Sequence, residues 1–290
     1  MILKINISND KKAKLLMIIS ALSFSIMAAI VKATPHTVAV KAFSRQIFSC
    51  VFVLSIIYLN KNRIIPLKKN RIKLLLRCLF GTVGIYLYFY SIDNLLLANA
   101  SMLTRLSPFF VTLFAFLILK ETVNSLSWLM FIPMIIGCGF IIKPNTDLFH
   151  LASIFAILSA CSASLAYIMI KLISKEESAY TIIFWFTLIS SVIYFIIAKE
   201  ELLILDEIQY LSLAMIGFFG VVGQIGLTFS YQLTKASHVA PYSYFYIIFS
   251  GLLGYYIWNE IPDILSIAGY CLISISFYYL MRLYKKSLIV

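Results

Sequence analysis

Two arginines stand inside apolar sequence. Arg45 lies in the run SRQIF, and Arg105 lies in LLLANASMLTRLSPFFVTLFAFLILKE, residues 95–121, with Pro108 three residues further on. A guanidinium stays charged and offers a planar fork of donors to a carboxylate or phosphate. A charge within a long apolar run normally faces a bundle interior or a wet cavity. The chemistry this pair could do is to anchor an anionic or zwitterionic small molecule. The competing reading is that each arginine bonds helix-end carbonyls or snorkels toward an interface. Four more residues belong to the same candidate binding set. Asn99 and Gln224 could donate hydrogen bonds. Tyr86 and Tyr244 lie deep enough in their runs to stack on a flat or amphipathic solute.

Other chemistry is missing from the sequence. There is no phosphate loop, HExxH, GxSxG or acidic metal cluster, so no cofactor or metal is implied and an enzyme is not expected. The twelve Asp and Glu fall in loops or at the ends of apolar runs, which leaves no mid-span carboxylate for a proton relay. The five cysteines sit unpaired in apolar stretches and read as small packing residues.

The elements that must position these residues are long apolar segments. Of the 290 residues, 62% are hydrophobic and 12% charged, with mean hydropathy +0.96. Soluble domains average about 45–50% apolar and 25% charged residues, so this chain belongs in a lipid bilayer. The net charge of +12 does not indicate nucleic acid, because the basic residues sit between apolar runs. Those runs fall at about 15–33, 39–59, 74–93, 98–119, 126–142, 151–172, 180–198, 210–232, 239–258 and 264–282. Most match the length of helix needed to cross about 30 Å of hydrocarbon. The first is longer than the apolar part of a signal peptide and is read as retained. The expected fold class is all-α, a polytopic membrane protein of ten transmembrane helices.

Orientation follows from lysine and arginine. With the N-terminus in the cytoplasm, only Lys32, Lys41, Lys143 and Lys199 fall on the far side, and Arg45 and Arg105 lie within spans. All the rest of the 24 basic residues, Arg77 among them, fall on the cytoplasmic side, and so do both termini.

The chain also repeats. Shifting it by 139 residues places Ser20 on Ser159, Lys32 on Lys171, Gly81 on Gly220, Gly84 on Gly223 and Glu121 on Glu260. Each half holds five runs, so the second enters the membrane from the opposite side. The expectation is two inverted five-helix repeats, residues 1–143 and 144–290, an architecture that supports alternating access. The halves differ in chemistry, since Arg105 falls on Tyr244 and Pro108 on Ile247.

The block Gly81-Thr-Val-Gly84 through Tyr88-Phe-Tyr-Ser91, then Ala98-Asn-Ala-Ser-Met-Leu, Leu106-Ser-Pro-Phe-Phe and Leu119-Lys-Glu121, has echoes at Gly220–Gly223, Ala236–Pro241 and Trp258-Asn-Glu260. In these motifs the chain resembles the EamA-type families of the drug/metabolite transporter superfamily, over essentially its whole length. The resemblance implies ten helices, cytoplasmic termini and a central cavity lined by helices 1–4 and 6–9. It implies a secondary transporter that moves a small metabolite or drug-like solute across the cytoplasmic membrane by alternating access. The alternative from a different class is a non-transporting membrane protein, either a lipid-modifying enzyme or a scaffold.

Overall fold

The structure is a computed structural model and describes residues 9–60, 63–104, 106–123, 125–142, 151–202 and 207–286. Among these residues the chain is helical throughout, with no strand. Helices run α1 (Asn9–Ala33), α2 (Val38–Leu59), α3 (Arg71–Asn94), α4 (Leu97–Thr104), α5 (Ser107–Leu119), α6 (Ser125–Ile142), α7 (Leu151–Ile173), α8 (Ala179–Leu202), α9 (Glu207–Leu233), α10 (Ala236–Val239), α11 (Phe245–Trp258) and α12 (Ile264–Lys286). Eight segments are long and apolar enough to cross a membrane, with α4 and α5 counted as one. The α10–α11 segment and α12 account for the two remaining apolar runs.

Two of the ten runs are broken. The fourth divides into α4 and α5, with Pro108 in the first turn of α5, where a missing N–H costs nothing. The ninth divides into α10, a 3₁₀ turn over Ala240–Tyr244 carrying Pro241 at its start, and α11. Both end alike. Lys120 and Asn259 take left-handed conformations, with φ of 54° and 51°. The next amide closes on the carbonyl six residues back, Glu121 on Ala115 at 3.1 Å and Glu260 on Gly254 at 3.2 Å. This closure satisfies carbonyls that the helix end would otherwise orphan.

The long helices pack in pairs that are distant in sequence: α1 along α9, α2 along α8, α3 along α7, and α6 along α12. Small residues make these contacts close. Ser20 Oγ of α1 donates to the Gly223 carbonyl of α9 at 2.7 Å, and Ser159 Oγ of α7 donates to the Gly84 carbonyl of α3 at 2.8 Å. Both partners of the second bond lie 139 residues from their counterparts in the first. Large apolar side chains such as Ile135, Ile196 and Leu211 are more than half exposed on the outer surface, as a lipid-facing surface requires.

Polar contacts gather at the two ends of the bundle. At the end where α1 finishes, the Lys32 ammonium bonds the Leu95 carbonyl at 3.0 Å and pairs with Glu260, whose second oxygen accepts from the Leu97 amide at 2.8 Å. Lys41 holds both oxygens of Asp93, at 2.7 and 2.8 Å. At the opposite end, Lys171 Nζ donates to the Thr234 carbonyl, with the Glu121 carboxylate acting on the same charge. Glu177 accepts from the Leu67 amide at 2.7 Å and from Asn70 Nδ2 at 3.0 Å. Exposed Glu176 bonds Lys69 and Asn70, which hold its carboxyl below the usual carboxylate range.

Candidate binding cavity

The site is built where α1, α2, α3 and α9 face α7 and α8, with Thr104 and Ser107 closing it from α4 and α5. The cavity volume is about 110 Å³. That holds roughly four waters and is below the roughly 300–1,000 Å³ of small-molecule sites.

Arg45 lines it from α2 and is 5% exposed, so it neither snorkels nor reaches helix-end carbonyls. Its Nη1 donates to Gln46 Oε1 at 3.1 Å and its Nη2 to Gln224 Oε1 at 3.4 Å. The second contact is long and holds loosely. Its Nε has no partner, and Phe24 lies beneath the guanidinium at 5.6 Å. Gln224 lines the same cavity from α9 and gives its own Nε2 proton to Thr228 at 3.0 Å.

Sequence reading missed Arg77. It ends the basic stretch before α3 and reads there as a cytoplasmic interfacial charge. The structure buries it to 2% exposure on the cavity wall, with its guanidinium 3.9 Å from the centroid of the Phe186 ring. Its helix face held the signal. Gly81, Gly84, Ile85 and Tyr88 follow Arg77 at helical spacing, and all of them line the cavity.

The glycines are part of the construction. A Cβ on Gly81 would stand 2.2 Å from Arg77 Nη1 and 2.5 Å from Phe186 Cε2. A Cβ on Gly220 would stand 2.8 Å from Arg45 Cγ. These two glycines are 139 residues apart, and each leaves the room that one arginine occupies.

The other sequence candidates lie elsewhere. Arg105 falls outside the described residues. Asn99 accepts a 2.9 Å hydrogen bond from the Tyr270 hydroxyl, and Tyr244 is buried with its hydroxyl 3.6 Å from Met134 Sδ. Tyr86 is 37% exposed on the outer surface. None of these three is among the residues that line the cavity. The aromatic residues that do line it include Tyr88, which bonds the Tyr246 hydroxyl, and Tyr167, stacked on Tyr231 at 4.9 Å. Asp93 does not line the cavity either. Among the described residues no carboxylate reaches either guanidinium, and no group of His, Cys, Asp or Glu could hold a metal.

The model of the EamA-like transporter family matches residues 11–143 and again residues 150–282. The chain belongs to the EamA-like transporter family. Its relatives are named transporters. The pseudopaline exporter of Pseudomonas aeruginosa is 30% identical over 95% of this EamA-like chain and 98% of its own. Human solute carrier family 35 member G1 is 28% identical, covering 87% of this chain and 74% of its own. The S-adenosylmethionine uptake transporter of Rickettsia prowazekii is 25% identical over 85% and 84%. A crystal structure superposes on this EamA-like protein with a TM-score of 0.67, covering 94% of the chain and 96% of its own at 12% identity, which shows the shared fold.

Proposed function

We propose that this EamA-like protein is a secondary transporter, and not an enzyme, that carries a small anionic or zwitterionic solute across the cytoplasmic membrane. It works by alternating access around the central cavity, with both termini in the cytoplasm. The observation that carries the reading is a buried, charged cavity between the two family-matched segments, supplied with guanidinium and amide donors but no counter-charge. Arg45 and Gln224 are the binding residues on which the proposal rests, together with Arg105 beside the break in the fourth run. Tyr86 sits on the outer side of α3. For Asn99 and Tyr244 to touch the solute, the broken fourth and ninth segments must move.

Two inverted repeats, 1–143 and 144–290, supply the mechanism. The helix pairing supports this, because exchanging the halves maps α1 with α9 onto α7 with α3. The end contacts support it too. Lys32, which bonds the Leu95 carbonyl and pairs with Glu260 at one end, has as its counterpart Lys171, which bonds the Thr234 carbonyl at the other end and feels the charge of Glu121. Two equivalent latches at opposite ends are what alternating access needs, since releasing either one opens a different face.

The test is solute counterflow in proteoliposomes loaded with metabolite pools. Saturable exchange that depends on Arg45 is the expected result. Absence of exchange with any anionic or zwitterionic pool, by protein shown to be folded, removes the reading.

A further inference from the structure

We propose that Arg45 and Arg77 together form a two-pronged receptor for a small dianion, whose two negative charges are engaged at once. This rests on the transporter reading and specifies the cargo's charge.

The argument starts from what the protein leaves undone. Arg77 is buried, yet among the described residues its guanidinium makes no hydrogen bond and lies only against Gly81 and the Phe186 ring, neither of which carries a charge. Arg45 has an orphaned Nε and only neutral amide acceptors. A buried charge without a partner is strongly unfavourable, and burying two beside one cavity compounds that cost by mutual repulsion. A neutral ligand relieves none of this. A monoanion balances one charge and leaves the other, whereas a dianion balances both and accepts the free N–H donors as charge-assisted bonds. Gly81 and Gly220 keep the space in which the two side chains lie, so both guanidiniums are set by the backbone around them. The remaining wall is aromatic and small, with Phe24, Tyr88 and Tyr167 able to cover the ligand's carbon frame.

The experiment is calorimetric titration of the purified full chain in detergent. Succinate and malate probe a carboxylate source, and glycerol 3-phosphate probes a phosphate source. Each is paired with an ester that removes one charge and keeps the shape. At least one dianion should bind roughly tenfold tighter than its ester, the effect of one charge-assisted contact. Arg45→Gln and Arg77→Gln should each abolish that ratio. The ligand-free melting temperature of Arg77→Gln should rise, because the substitution removes an uncompensated buried charge. Equal binding of dianions and esters overturns the proposal, as does failure of every dianion to bind. A fall in the melting temperature of Arg77→Gln with the ratio intact overturns it as well. Counterflow of neutral or cationic solutes, unaffected by Arg77→Gln, would remove the dianion site and leave the transporter reading standing. Dianion binding without counterflow would do the reverse.

Discussion

At the scale of residues, the cavity's chemistry is one-sided. Counterparts 139 residues apart face each other across it as Phe24 and Ala163, Ile85 and Gln224, Tyr88 and Leu227. Both arginines that line it come from the first half, and their counterparts, Phe184 and Ile216, are apolar. The glycines beneath the arginines provide a test that leaves the charges in place. Gly81→Ala puts a methyl group into the Arg77 guanidinium, and Gly220→Ala puts one against the Arg45 stem. Each should weaken solute affinity by roughly tenfold, within the range expected when close packing is displaced in a rigid wall. The equivalent change at Gly251, where a Cβ meets nothing within 4 Å, should leave affinity unchanged. Equilibrium binding on the three variants checks this, and equal losses at all three would mean that the effect is on helix stability and not on the arginines. Arg45 was legible in the sequence because it lies inside a long, mostly apolar run, and a charge so placed is too costly to turn toward lipid. Arg77 was not, because it closes the basic stretch KKNRIKLLLR, where it looks like one more interfacial charge. Only its helix face sets it apart.

At the scale of elements, the ten apolar runs were legible from length and hydropathy, but two of their interiors were not. Pro108 marks a place where the fourth run could bend. The ninth run reads as one continuous helix, and periodicity carries no sign of its 3₁₀ turn. Tertiary packing decides that conformation. The left-handed Lys120 and Asn259 were equally hidden, since neither is glycine, and a lysine gives little local signal for that geometry. These helix ends carry Glu260, which pairs with Lys32, and Glu121, whose charge acts on Lys171, and a pair of substitutions tests the proposed latches. Lys32→Met should raise the reactivity of a cavity cysteine, placed at Ala163 in a cysteine-free background, toward a membrane-impermeant thiol reagent added at the face where α1 ends. Lys171→Met should raise it from the opposite face. Each change should be roughly tenfold, within the usual range of coupling between a local contact and a two-state equilibrium. If both variants open the same face, or neither changes access, the two contacts are not opposing latches.

At the scale of the whole molecule, the placement of acidic groups bears on how transport is driven. Coupling solute movement to protons normally needs a carboxylate that the solute and the proton can both reach. Several of the described carboxylates are bonded at the ends of the bundle. Asp93 is held by Lys41, Glu260 by Lys32 and the Leu97 amide, Glu201 by Thr37, and Glu177 by Asn70 and the Leu67 amide. Glu121 acts on Lys171. Among the described residues, no acidic one lines the cavity. The charges that do line it are permanent cations, and a guanidinium does not release its proton in the physiological range. An anion entering this site therefore brings its own compensation and takes no proton from the wall. The expected behaviour is facilitated diffusion or exchange of one anionic solute for another. Uptake into proteoliposomes under an imposed pH step should match uptake without it, while preloading with the same solute should accelerate it. Accumulation against a solute gradient that follows the pH step, and is lost in Asp93→Asn or Glu121→Gln, would show that an end carboxylate enters the cavity during the cycle and carries the proton after all.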